Sequence, residues 1–143
     1  MKLQTMQKVF LDTNIIIDFI ADREPFSSDA ANIFQMAEDN KIQLYATDLS
    51  FVNVVYILRK KIGMEKAYQF LILLRSIINI TSIGEKAIDA AIKLHAKDFE
   101  DAVQYMAAKK MTADILLTRN KKDFPYNDVP VMLPIEFLDS HHQ

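Results

Sequence analysis

Three short stretches of this chain put carboxylates and amides where apolar runs give way to polar residues. Asp12-Thr13-Asn14 follows Val9-Phe10-Leu11 and precedes Ile15-Ile16-Ile17, so an aspartate sits where a buried strand hands over to a helix. Asp98-Phe99-Glu100-Asp101 opens an apolar-striped segment, and Asn120-Lys121-Lys122-Asp123 comes soon after Ile115-Leu116-Leu117. Open α/β sheets bind ligands beyond the C-terminal ends of their strands, and right-handed connections in a parallel sheet can gather Asp12, Asp101 and Asn120 at one such edge. Hard oxygen donors without His or Cys select Mg²⁺ or Mn²⁺, ions that keep several waters and use few protein carboxylates. Singly or in pairs ~4 Å apart, they activate water and stabilise the leaving oxygen in phosphodiester cleavage. An acidic, metal-binding pocket is the expected site.

Each of these acids also has a structural role open to it. Asp12 is placed to cap a helix starting near Asn14, and Asp98 and Asp101 have the spacing of an N-cap residue and its N3 partner. Capping comes ahead of ligation for Asp98; Asp101 lies beside the buried stripe of its helix, where either role suits it. The histidines add little: His95 ends a helix, His141-His142 lie in a polar tail, and none has an acid-base partner set. Ser50 lacks the Gly-x-Ser-x-Gly setting of a strained nucleophile, and no glycine-rich phosphate loop is present.

The elements that must position these residues follow from periodicity. Strands are expected at residues 8–11, 42–46, 77–80, 115–117 and 129–132. Helices are expected at 14–21, from Ser27-Ser28-Asp29 to about 38, from a Thr47 or Asp48 cap to about 61, at 65–75 beyond a break at Gly63, at 85–95 and from 98 onward, with a short last helix begun by Pro134. The segment 49–58 is apolar nearly all round, which predicts burial on several sides, yet Asn53 stands in its middle. Inward positions are Ala67, Phe70, Leu71 and Leu74, then Ala87, Ile88, Ala91 and Ile92, then Phe99, Ala102, Val103, Met106 and Ala107. Strands alternating with helices predict an α/β fold, a three-layer α/β/α sandwich with a mostly parallel central sheet.

The 143 residues, half of them hydrophobic, suffice for one domain over residues 1–143 with a core of its own. With two glycines and four prolines no linker is visible, and the absence of cysteine excludes disulfides, thiol nucleophiles and cysteine zinc sites. The polar start does not read as a signal peptide, and no apolar run is long enough for a membrane span, so a soluble, cytoplasmic protein is expected. A net charge of -2 argues against broad polyanion binding and leaves local patches: Arg59-Lys60-Lys61, Lys109-Lys110, and Arg119 with Lys121-Lys122. The first two suit solvated helix ends, where cations offset the dipole. The third lies beside an acidic cluster.

Taken together, these stretches resemble the PIN-domain family, which includes many metal-dependent ribonucleases and the VapC-type toxins of bacterial toxin-antitoxin pairs. Phe10-Leu11-Asp12-Thr13-Asn14 resembles the opening motif, Asp101-Ala102-Val103-Gln104-Tyr105-Met106-Ala107-Ala108 the third, and Leu117-Thr118-Arg119-Asn120-Lys121-Lys122-Asp123-Phe124 the fourth. The resemblance covers nearly the whole chain, and the order and spacing of the motifs carry it. It implies a metal-dependent endoribonuclease in which Asp12 and Asp101 hold Mg²⁺ or Mn²⁺, with Asn53 and Asp98 as further metal contacts and Asn120 and Asp123 in the catalytic set. Asn14, Thr118, Arg119, Lys121 and Lys122 would face an RNA substrate. An antitoxin protein and a second copy of the chain are the implied partners. Asn53 and Asn120 depart from the pattern by standing where the family carries acids, each removing a negative charge, which lowers the expected metal affinity. Those two amides support an alternative, a catalytically weakened module that binds nucleic acid or a protein. A haloacid-dehalogenase-like phosphatase also needs an aspartate after its first strand, but wants a second acid where this chain has Asn14.

Overall fold

Alternation along the strands decides how the layers form. In β1 (Gln7–Leu11), Val9 and Leu11 point into one core while Phe10 points into another, and in β4 (Ile115–Leu117) Ile115 and Leu117 oppose Leu116 in the same way. A strand apolar on both faces must be covered on both, which a sheet between two helical layers achieves. The computed structural model describes residues 6–141. Residues 1–5, His142 and Gln143 lie outside the described residues, and with them most of the polar start and one histidine of the tail.

The sheet also contains β2 (Ile42–Thr47), β3 (Ile78–Thr81) and β5 (Val131–Met132), in the order β3-β2-β1-β4-β5 with every pairing parallel. One core joins the sheet to α1 (Thr13–Ile20), α2 (Ser27–Glu38), α3 (Asp48–Ile77) and α6 (Pro134–Ser140). The other joins its opposite face to α4 (Gly84–Leu94) and α5 (Phe99–Lys110). The expected α/β/α sandwich is the observed fold. Successive connections from β1 lead outward to β2 and β3, and the chain then crosses back to β4 on the other side of β1. The strand order thus reverses between β1 and β4, and the C-terminal end of that pair is where an open α/β sheet leaves a crevice.

The expected break at Gly63 is a kink inside α3, where φ of 81° and ψ of 165° suit only glycine. Several element boundaries and burials differ from expectation. Ile77 stays in α3, so β3 runs one residue later than 77–80. β5 pairs only from Val131, because Pro130 has no N–H to give a ladder and contributes only its carbonyl, accepting from Leu116 N at 2.9 Å. Although α2 begins at Ser27, no side chain caps it. The segment 49–58 is not buried all round: Val52 and Tyr56 are 53% and 54% exposed. Ile92 and Phe99, expected inward, are also exposed, whereas Gln104, Tyr105 and Ala108 widen the buried side of α5. No described helix is long and apolar enough to cross a membrane.

Candidate active site

Asp12 ends β1 at the point where the strand order reverses. Its backbone N donates to Leu117 O at 3.0 Å, and its carboxylate accepts from the Thr118 hydroxyl, also at 3.0 Å. The same hydroxyl accepts from Asn120 N at 3.1 Å, so Thr118 holds both Asp12 and the start of the following loop. Asp12 makes no side-chain capping bond to α1, which removes the structural role that its position suggested. A carboxylate only 6% exposed, with one hydroxyl donor, keeps acceptor capacity for something else.

Asp98 does cap α5: its Oδ1 accepts from Asp101 N at 3.0 Å. Asp101 stands in the first turn, half-buried. Asn53, on α3, donates through Nδ2 to Glu100 Oε1 at 3.0 Å, which leaves its amide oxygen free. Asp12, Asn14, Asn53, Asp98, Asp101, Asn120 and Asp123 line a single cleft of about 420 Å³, with Thr13, Ile17, Tyr56, Ile57 and Glu100 completing its wall. The proposed metal and catalytic residues therefore come to one place, and they come from both helical layers.

Among the described residues, no lysine or arginine lines that cleft. Burial, followed by the charges of Asp98, Asp12, Asp123 and Glu100, pushes the Asp101 carboxyl up to about 7. Burial also raises Asp12, with the Thr118 hydrogen bond pulling it partly back. A half-buried acid pushed up to about 7 among like charges is short of a cation, and a hard divalent ion fits that oxygen donor set. Among the described residues no three acidic or histidine side chains are gathered closely enough to cage an ion alone.

A second polar layer lies directly behind the cleft and was not anticipated. Thr13, Thr47, Ser50 and Gln104 are all buried. Thr13 Oγ1 and Ser50 Oγ lie 2.7 Å apart, and Gln104 donates to Ser50 Oγ at 3.1 Å and accepts from Thr47 Oγ1 at 3.2 Å. Thr47 also caps α3 by accepting from Ser50 N at 3.0 Å. Thr47 thus makes the cap that its position suggests, and Ser50, which lacks the setting of a nucleophile, serves as a buried hydrogen-bonding link. The available signal was Gln104, an amide inside an apolar helical stretch, which burial obliges to find partners.

The loop expected to face substrate is rearranged in part. Thr118 is fully buried and positions Asp12 instead of meeting a ligand. Arg119 turns away from the cleft: its Nε lies 2.7 Å from Asp18 Oδ2 and its guanidinium stacks 4.1 Å from the Phe26 ring centroid. Lys121 pairs with Glu136 at 3.1 Å on the surface, Lys122 is exposed, and Asn14 lines the cleft half-buried. Lys109 pairs with Asp128 at 2.8 Å and Lys110 donates to the Ser82 and Ile83 carbonyls, so both end α5 on partners from other segments.

Two experiments probe this electrostatic balance. Because Asp101 must lose a proton to bind a cation, Mn²⁺ affinity should rise with pH up to about 7 and level off above it. Calorimetry in buffers of different ionisation enthalpy should detect proton release on binding near pH 6 and almost none near pH 8.5. Release that is equal at both would show that Asp101 is not a ligand. Asn53→Glu removes the donor to Glu100 and adds a charge to the cleft. The metal-free variant should melt lower than the wild type and bind Mn²⁺ on the order of tenfold tighter, since affinity follows ligand charge. Unchanged binding would place residue 53 outside the ion's reach.

The PIN domain family model matches residues 8–122. Ribonuclease VapC1 of Aquifex aeolicus (strain VF5) is 30% identical over 138 residues, which cover 93% of this chain and 94% of that protein. Among solved structures, VapBC2 from Rickettsia felis bound to a DNA fragment from its promoter matches with a TM-score of 0.70 at 17% identity, covering 89% of this chain and 98% of that one. A toxin-antitoxin complex from Klebsiella pneumoniae matches with a TM-score of 0.66 at 25% identity, covering 88% and 97%. The parallel sheet, the acidic crevice at its strand reversal and a family match over most of the sequence lead to one conclusion: the chain belongs to the PIN-domain family.

Proposed function

We infer that this PIN-domain protein is a metal-dependent endoribonuclease that acts as the toxin of a toxin-antitoxin pair in the cytoplasm. The observation that carries the reading is the cleft at the β1–β4 reversal, where Asp12 and Asp101 line one acidic space with no lysine or arginine among its described lining residues. The similarity to a ribonuclease along nearly the full chain supports RNA as the substrate, and the toxin-antitoxin neighbours support an antitoxin partner.

Asp12 and Asp101 would hold Mg²⁺ or Mn²⁺, with Asp98 and the amide oxygens of Asn53 and Asn120 within the same cleft. Such an ion polarises a phosphoryl oxygen and makes water a competent nucleophile at neutral pH. Around it, Thr118 keeps the Asp12 carboxylate oriented, Asp98 fixes the first turn of α5 beneath Asp101, and Asn14 and Asp123 shape the mouth. Lys122, exposed next to Asp123, is available to an RNA phosphate; Lys121 becomes so by giving up its surface pair with Glu136, which costs little.

RNA cleavage assays with and without Mn²⁺, run beside a Mn²⁺ titration, test this reading. Mn²⁺-dependent cleavage is the expected result. Mn²⁺ binding without cleavage of any RNA would favour the second reading, a weakened binding module, which the neutral amides Asn53 and Asn120 in the cleft support. Self-association belongs to the same reading, because Val52, Tyr56, Tyr68 and Ile72 leave apolar surface of α3 exposed. Sedimentation should show a homodimer; a monomer at high micromolar concentration would remove that part alone.

A further inference from the structure

We propose that Gln104 is a positioning residue: by tying α5 to the start of α3 beneath the acidic cleft, its amide sets the spacing of the cleft's walls and so the affinity for Mn²⁺. This rests on reading the cleft as a metal site.

Three of the four members of the buried polar layer belong to the cleft wall or stand one helical turn from a cleft residue, and Thr47 joins them through Ser50 and Gln104. Thr13 directly follows Asp12, Ser50 precedes Asn53 by three positions, and Gln104 follows Asp101 by three. Positions three apart share one side of a helix, so a shift at Ser50 or Gln104 moves Asn53 or Asp101 with it. The two helices belong to different layers: α3 packs in the core with α1 and α2, whereas α5 packs in the core with α4. Apolar contacts between such layers are non-directional and tolerate small slides. The Gln104 amide supplies direction, accepting from Thr47 Oγ1 at 3.2 Å and donating to Ser50 Oγ at 3.1 Å. Ser50 passes the constraint to Thr13, 2.7 Å away, and thereby to Asp12. The only other described hydrogen bond tying α3 to α5 at the cleft is the exposed Asn53–Glu100 contact, which water competes with.

Gln104→Leu should separate position from stability. Leucine is comparable to glutamine in size and has no polar atom, and Ser50 and Thr47 keep each other and Thr13 as partners, so the fold has few groups to leave unpaired. Residues that orient metal ligands typically change affinity by ~10- to 100-fold when removed, and a loss in that range is expected here. The measurement is Mn²⁺ binding by calorimetry, with the electron paramagnetic resonance spectrum of the bound ion, on wild type, Gln104→Leu, Ser50→Ala and the double variant. All are held well below their melting temperatures, so that a lowered Tm alone cannot move the affinity. Expected are a weakened and spectrally altered Mn²⁺ site in each single variant and a double variant no worse than Gln104→Leu alone, because the two residues act through one connection. If Gln104→Leu does not fold, Gln104→Asn, which keeps an amide too short to span the gap, takes its place with the same expectation. Wild-type affinity and spectrum in a folded Gln104 variant would overturn the positioning role while leaving the metal site standing. A wild-type protein that binds no Mn²⁺ would overturn both.

Discussion

Asp12→Asn should cost the protein at least ~100-fold in Mn²⁺ affinity, since groups that merely orient metal ligands already cost up to that much. RNA cleavage should fall with it. The expectation follows from where Asp12 sits: nearly buried at the strand reversal, held from one side by Thr118, with no capping bond to distract it. The substitution keeps the volume and an acceptor for the Thr118 hydroxyl, so stability should be preserved or rise slightly, because burial already disfavours the Asp12 charge. Asp98→Asn is the matched control. Asparagine caps helices as well as aspartate does, so the bond to Asp101 N persists and the melting temperature should hardly change. Its effect on Mn²⁺ should remain several-fold at most, through the lost charge beside Asp101. Equal losses in the two variants would mean that Asp98 is a direct ligand and that capping is its lesser task.

The contrast between these two aspartates shows what residue type and spacing reveal. Asp12 and Asn120 were legible because each follows the C-terminal end of a strand, and the ends of parallel strands meet by topology, whereas Asp101 was legible as an acid that opens a helix. The N-cap role of Asp98 was legible because it needs only the residues that follow it. What a sequence does not display is the partner that folding delivers from far away. Arg119, beside an acidic cluster, reads as a phosphate contact until α1 brings Asp18 to it. Thr118 reads as part of a loop surface until β1 closes over it. Periodicity likewise marks Val52, Tyr56, Ile92 and Phe99 as apolar without saying whether this chain or another molecule covers them. Gln104 was passed over because its neighbours make a good hydrophobic stripe, although burying an amide is costly unless its bonds are made.

Arg119 also carries the largest expected change in stability. Asp18 is 1% exposed, and neither of its carboxylate oxygens has a well-directed hydrogen bond among the described residues. Burial pushes its carboxyl up, against the pull of the Arg119 charge at 2.7 Å and the weaker pull of Arg23 at 4.0 Å. Arg119→Met would keep an unbranched stem against Phe26 while stranding a buried carboxylate with only the distant Arg23. Breaking one side of a buried pair typically costs ~3–5 kcal/mol, and a loss of about 3 is expected at neutral pH because protonation of Asp18 caps the penalty. The pH dependence follows from the sign of the shift. An acid whose folded pKa is raised favours the fold below its unfolded value and loses that contribution as pH climbs through the folded value. The variant's deficit should therefore be smallest below about pH 4 and grow toward neutrality. Adding Asp18→Asn should recover much of it, since a neutral amide no longer needs the guanidinium. Urea denaturation at pH 4.5 and pH 7.5 measures all three chains, and a deficit under about 1 kcal/mol that ignores pH would show that Asp18 is already neutral in the wild-type fold. Because Arg119 lies between Thr118 and Asn120, the same variant should loosen the loop that holds Asp12, so its Mn²⁺ affinity should fall together with its stability and recover in the double variant.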